Sequence, residues 1–274
     1  MPSCKDPLSP PVNIIEHADV RRMLLAQKAY AEGAFALCLF GAQLADDQHT
    51  APTEEQRSQA KLLLDFLIPM IKTWPSEYGP QANSLAIQVL GGAGYINEHP
   101  VEMFYRDNRL NPIHEGTTGI QSLDLLARKV PMQGMAGYHY CLALMRETVA
   151  QAGAVAGLEK QAEQLETAIK QLTDTTETLL AAMADTDIDK VLANSVMYLE
   201  LFGHVVVAWL WLKQGLVAHQ ALAQSQHGDE QNFYRGKLQA MRYFFSVELP
   251  HTERWSALLM QGEDSAYAMR DDWF

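Results

Sequence analysis

Residues 88–129 read QVLGGAGYINEHPVEMFYRDNRLNPIHEGTTGIQSLDLLARK. Two backbone-exposing turns stand out, Gly91-Gly92-Ala93-Gly94 and Glu115-Gly116-Thr117, with a charged segment ending in Arg106-Asp107 between them. Each falls where one apolar helical run stops or the next begins. The run through Ala82, Leu85, Ala86, Val89 and Leu90 ends on the double glycine, a C-terminal stop signal. Thr117 or Thr118 is placed to cap a helix reaching about Lys129. A short helix over about 100–108, with Pro100 in its first turn, joins the two turns. Such turns present main-chain N–H groups and one carboxylate to a ligand.

Helical periodicity continues on both sides. Val20, Leu24, Ala31, Phe35, Cys38 and Leu39 predict a helix from Ala18 to about Leu44. The polar segment 45–54, which holds a proline, reads as a loop. A second helix begins near Glu55 and runs through Leu62, Leu63, Phe66, Leu67 and Met70, kinked at Pro69 and broken at Trp74-Pro75-Ser76. A third starts near Gln81. Beyond Pro131-Met132-Gln133-Gly134 the character changes to long apolar helical runs at 137–153, 158–183, 188–223 and 229–247, with a mostly irregular tail from Pro250. No strand alternation appears. The expected class is all-α: an irregular lead-in over 1–13, a first helical domain over 14–134, and an antiparallel helical bundle over 135–274.

Composition narrows the functions. The chain has 274 residues, 48% of them hydrophobic and 20% charged, with a formal net charge of −12. A surface this acidic repels phosphate backbones, which argues against nucleic acid as a partner. Three cysteines, Cys4, Cys38 and Cys141, lie far apart and form no zinc-ligand or disulfide spacing, so no metal is expected and a reducing, cytoplasmic compartment fits. The N-terminus lacks the basic start and apolar core of a secretory signal. The most apolar run, Val205 to Leu212, is shorter than the ~20 residues of a membrane helix.

Glu115 is the sharpest candidate for chemistry. It precedes a glycine and stands just ahead of a helix, where an anion is favoured; it could serve as a base once substrate displaces water, or be an ordinary acidic residue of a first helical turn. The double glycine could let backbone approach a phosphate or simply end a helix. Arg106-Asp107 could contact phosphate or form a structural ion pair. His17, His99, His114 and His204 have neither metal nor triad spacing. Trp209, Trp211, Tyr243, Phe244 and Phe245 read as core.

Taken in order, Gln88-x-x-Gly91-Gly92-x-Gly94-Tyr95, Tyr105-Arg106-Asp107 and Glu115-Gly116-Thr117-x-x-Ile120-Gln121 resemble the C-terminal helical domain of the acyl-CoA dehydrogenases. The likeness covers roughly residues 14–132. The strings IIEHADVRRMLL and HEGTTGIQSLDLLARKV are similar to the branch that includes 3-methylthiopropionyl-CoA dehydrogenases, whose members carry an additional C-terminal helical domain. That domain would account for residues 135–274.

The resemblance implies an FAD-dependent α,β-dehydrogenation of an acyl-CoA thioester. Glu115 maps onto the family's base, and Gly116 onto a position whose missing side chain leaves room for substrate. Gln88, Val89, Leu90, Gly91 and Gly92 map onto a segment that meets the FAD of a neighbouring subunit. Thr117, Thr118 and Gly119 map onto an FAD-contacting segment of the same subunit, with Gly119 replacing a commonly polar residue. Electron-transfer flavoprotein is the implied acceptor, and a homodimer, a tetramer or a pairing with a separate N-terminal half is the implied assembly. The family's N-terminal helical and β-barrel domains find no counterpart here, so the chain is expected not to oxidise acyl-CoA alone. The competing reading is a non-catalytic helical interaction module that retains the motif. A relation to the alkylation-response branch, proposed to bind DNA, would want a basic surface instead.

Overall fold

The computed structural model describes residues 10–225 and 227–274; Cys4 lies outside them. Two long helices start the fold, α1 (Ala18–Thr50) and α2 (Glu54–Leu90). They are joined only by 51–53, so the polar segment expected to be a loop is mostly the last turns of α1. Thr53 starts α2 with reciprocal bonds: its hydroxyl accepts from Gln56 N–H at 3.2 Å while the Gln56 side chain accepts from Thr53 N–H at 3.2 Å. Both donors would otherwise be unsatisfied at a helix start.

The expected break at Trp74-Pro75-Ser76 does not occur. α2 runs through Pro69, Pro75 and Pro80 without interruption. Each proline removes a backbone donor, yet Phe66, Leu67, Met70, Trp74 and Tyr78 along this stretch are all buried. Burial of that stripe outweighs the local penalty. Trp74 stacks on Tyr78 with ring centres 4.4 Å apart.

After Gly91 the chain turns back along α2. It passes through α3 (Val101–Asn108), a loop, α4 (Thr118–Leu123) and a π-helical turn over Asp124–Lys129. Buried Lys129 pairs with Asp65 and ties this end to α2. Left-handed backbone at Gln133, Gly134 and Met135 interrupts the start of α5 (Met132–Gly153).

The remaining helices are α6 (Glu159–Asp185), α7 (Ile188–Leu192), α8 (Ser195–Gln224), α9 (Gly228–Tyr243), α10 (His251–Gln261) and α11 (Ser265–Ala268). The run expected over 188–223 is thus two helices. The tail expected to be irregular holds α10, which buries Thr252, Ser256 and Leu259; Ser256 shares a 2.8 Å hydroxyl bond with Thr175 of α6. No strand forms among the described residues.

α8 is the central member. Every residue from Tyr198 to Leu212 except Glu200 is buried. Close approach is made possible by glycine: a Cβ on Gly33 of α1 would meet Val207 at 2.9 Å, and one on Gly203 would meet Trp74 at 3.0 Å. Phe202 of α8 meets Phe66 of α2, Tyr138 of α5 and Tyr198 edge-on. One hydrophobic core therefore extends from α1 and α2 into the later helices. α1 and α8 are each long and apolar enough to cross a membrane, but 83% of the apolar window of α8 is buried within the protein, as in a core helix.

Candidate functional site

The Glu115 turn is built by its neighbours on α2. Lys72 donates from Nζ to the carbonyl of Gly116 at 2.6 Å and to that of Asn111 at 2.9 Å. Gln121 of α4 donates from Nε2 to the carbonyl of Glu115 at 3.1 Å. Held this way, Glu115 takes φ 57° and Gly116 φ 87°. The left-handed region costs a non-glycine residue about 1–2 kcal/mol, so the surrounding bonds must over-determine it. A Cβ on Gly116 would sit 2.8 Å from Gln121 Nε2. The missing side chain therefore makes room first for the glutamine that fixes Glu115.

Thr117, not Thr118, caps α4: its backbone is extended and its hydroxyl accepts from Ile120 N–H at 3.4 Å. Thr118 donates its hydroxyl to Glu77 of α2, and Gly119 is half-buried. Further back, Asn108 bonds Asn83 at 2.9 Å and Asn111 at 2.5 Å. The loop from α3 to α4 is thus stapled along the face of α2. His114 turns its ring to the carbonyl of Leu110 at 3.0 Å. The Glu115 side chain remains exposed. Burial lowers the Lys72 ammonium below the usual lysine range, and the carboxylates of Glu77 and Glu115 oppose that effect.

The second predicted segment lies elsewhere. Gln88 and Leu90 are exposed, Val89 is half-buried, and Gly91 (φ 59°) and Gly92 lie on the surface. A Cβ on either glycine would find nothing within 4 Å. Here the glycines leave open space, where Gly94 by contrast packs against Ile87 backbone. Lys72 and Glu77 mark where the Glu115 turn crosses α2. At 1.5 Å per residue, Gly91 lies roughly 20–30 Å further along the helix. The structure does not bring Gln88–Gly92 and Glu115–Gly119 of one chain together.

Arg106 and Asp107 form no ion pair among the described residues. Successive helix positions do not face each other, so the adjacency in sequence was no guide. Lys72, Glu77 and Asn111 are the residues that sequence reasoning missed. The false break at Trp74 hid the signal, which was a lysine on the same continuous helix as Gln88. Among the described residues no cluster of metal-binding side chains occurs.

Comparison with known proteins covers nearly the whole chain. A family described as "Acyl-CoA dehydrogenase, C-terminal domain" matches residues 10–130, and one described as "Acetyl-CoA dehydrogenase C-terminal like" matches 141–270. The broad-specificity linear acyl-CoA dehydrogenase FadE5 of Mycobacterium tuberculosis is 35% identical over 257 residues, which is 89% of this chain and 41% of that protein. The 3-methylmercaptopropionyl-CoA dehydrogenase of Ruegeria pomeroyi is 36% identical over 230 residues, 83% of this chain and 38% of that protein. Among solved structures, Caenorhabditis elegans ACDH-11 in complex with C11-CoA superposes with a TM-score of 0.64 at 17% identity, covering 90% of this chain and 36% of that one. This last likeness speaks to fold. The chain spans about two-fifths of the length of these curated relatives.

Proposed function

The chain belongs to the acyl-CoA dehydrogenase family, and from that premise we propose that it supplies the C-terminal helical part of an FAD-dependent acyl-CoA dehydrogenase in which Glu115 is the base. The observation that carries this reading is the Glu115 turn. A carboxylate stands exposed on a left-handed turn whose flanking carbonyls are held by Lys72 and Gln121.

The chemistry accounts for the parts. A thioester α-proton is weakly acidic, so a carboxylate removes it only when held at the right place and when the developing enolate oxygen finds donors. Glu115 takes and holds that proton on its carboxylate. Gly116 keeps the acyl side of the turn free of a side chain. Bound FAD would accept the hydride from the β-carbon.

The residues present fit such a group in part. Gln88–Gly92 offer an open, glycine-lined backbone edge, and Thr117–Gly119 offer the start of a helix, with the Thr118 hydroxyl already donated to Glu77. The distance between the two segments supports an arrangement in which one flavin meets Glu115–Gly119 of one copy and Gln88–Gly92 of another. A homo-oligomer is then part of the proposal, and an electron-transfer flavoprotein would be the acceptor. With Glu115 facing solvent, the 274-residue chain by itself is expected to leave acyl-CoA unoxidised.

The test uses this chain combined with the remaining domains of a relative as a second polypeptide. Octanoyl-CoA and butyryl-CoA should bleach the visible absorbance of its FAD. Glu115→Gln should slow the bleaching by about 10²–10⁴-fold, the usual loss for a general base. An unchanged rate in that variant would overturn the assignment and favour the non-catalytic interaction module.

A further inference from the structure

We infer that Lys72 is a positioning residue for the base, a clamp on α2 that holds the Glu115–Gly116 turn by donating to the carbonyls at its two ends. The inference rests on the reading of Glu115 given above and assigns a role to a side chain that the motif itself does not contain.

Three observations carry it. First, the two acceptors are Asn111 and Gly116, which bracket the His114-Glu115 turn, so one ammonium closes the loop from both sides. Second, Lys72 has no ion-pair partner within 4.0 Å among the described residues, nor have Lys61, Lys160, Lys170 and Lys213, but of these lysines Lys72 alone donates to main-chain carbonyls. Its donors go to backbone carbonyls, and the carboxylates of Glu77 and Glu115 act on it through space. Third, its own platform is rigid. Met70, Thr73 and Trp74 beside it are buried, and Ser76 donates to the Lys72 carbonyl at 2.6 Å.

The Glu115 carbonyl, between those two acceptors, is held by Gln121. Lys72 and Gln121 thus fix the peptide groups around the residue whose backbone is strained to φ 57°. Without the ammonium, two carbonyls lose their donor and the turn is free to relax toward an ordinary conformation. The carboxylate would then move with its backbone. A misplacement of about 1 Å at a reacting group can cost on the order of a hundredfold in rate. Arginine retains the charge and can donate to two carbonyls, whereas methionine keeps only the length of the side chain.

Two measurements on Lys72→Met and Lys72→Arg test the clamp. Amide hydrogen exchange on the 274-residue chain should show exchange at 111–117 faster by about tenfold or more in Lys72→Met, with α8 and α10 unchanged and Lys72→Arg close to the parent. In the assembled enzyme, Lys72→Met should lower kcat by about a hundredfold with KM nearly constant, and Lys72→Arg should recover most of the loss. Unchanged exchange in Lys72→Met would overturn the clamp. So would equal losses in both variants, or protection lost evenly through the chain, since each marks a merely structural lysine. Glu115→Gln separates the two proposals. If it leaves the rate intact while Lys72→Met still loosens 111–117, the base reading fails and the clamp on the turn stands.

Discussion

Residues 198–212 and residues 90–123 are both rich in apolar side chains, and the fold treats them in opposite ways. In the first, fourteen of fifteen residues are buried, Glu200 being the exception. In the second, Leu90, Tyr95, Ile96, Met103, Phe104, Tyr105, Leu110, Ile113, Ile120 and Leu123 are all at least 38% exposed, Tyr95 reaching 82%. Apolar content alone would have placed both stretches in a core. The difference is that α8 is covered by α1, α2, α4, α5, α6, α9 and α10, whereas the return path packs mainly on α2, with α4 also resting on α8. Exposed apolar side chains gathered along one path point to a surface that something else covers. Leu90–Gly92 of the first proposed segment and all of the second, Glu115–Gly119, lie on this stretch. The later helices close the core, and on the proposed reading the 90–123 surface would be where chemistry and partners meet.

Phe202 gives the largest expected effect on this contrast. Its side chain is fully buried and touches aromatic rings on α2, α5 and α8. Truncating a buried phenylalanine typically costs about 3–5 kcal/mol. Phe202→Ala should lower the urea midpoint of the 274-residue chain accordingly, and the loss should register in α2 as well as α8 by hydrogen exchange. A loss confined to the later helices would mean that the shared core is less continuous than the packing shows.

Glu200 is the exception within the buried run, and it ties stability to pH. Burial pushes its carboxyl up to about 7, with the Tyr78 hydroxyl, which donates to it at 3.0 Å, working the other way. Next to it, burial holds His204 neutral and lowers it to about 3. The signs oppose each other. The native state keeps a proton on Glu200 that the unfolded state releases above its ordinary value of 4.5, so stability falls as pH rises from there to about 7. The native state refuses a proton on His204 that the unfolded state takes below 6.5, so stability falls as pH drops from there to about 3. Between pH 4.5 and 6.5 the two effects offset each other. Glu200→Gln removes the first and keeps an acceptor for Tyr78. Relative to the parent, the variant should therefore gain about 3 kcal/mol on going from pH 4.5 to pH 8. Urea titrations at these two pH values measure it; parallel behaviour of the two proteins would show that Glu200 ionises as freely in the fold as in water.

Much of this organisation was legible in the residues, and the failures have physical causes. The all-α class, the stop at Gly91, the start at Thr117 and the first helix all follow from local signals: a positive-φ glycine, a hydroxyl cap and a 3.6-residue apolar period. α2 was misread because local rules count each of its three prolines against a helix, and the burial that overrides them depends on α1, α5 and α8. α10 was missed because two of its buried residues are the polar Thr252 and Ser256, the latter bonded to Thr175 far back along the chain, so no apolar stripe announces it. At the candidate site, the sequence pointed to Glu115 and its neighbours but not to Lys72. The reason is that Lys72 reaches the turn from 44 positions away through backbone carbonyls, and carbonyls carry no residue signature.

The smallest expected effect is also the sharpest check on the opening contrast. Ile113 (56% exposed) and Ile120 (59% exposed) flank the Glu115 turn with their side chains in solvent. If this surface is covered only by other chains or domains, replacing both by serine removes nothing that the 274-residue chain itself buries. Surface changes of this kind usually stay within about 0.5 kcal/mol, so the double variant should leave the urea midpoint almost unmoved. It should, however, weaken association with the remaining domains or with a second copy, read as a rise in the concentration needed for half-assembly by analytical ultracentrifugation. A fall in stability of the chain as large as that of Phe202→Ala would show that these isoleucines belong to a core after all. Unchanged stability with unchanged assembly would mean that the exposed apolar stretch is not an interface, and the turns it carries would then have to work facing water.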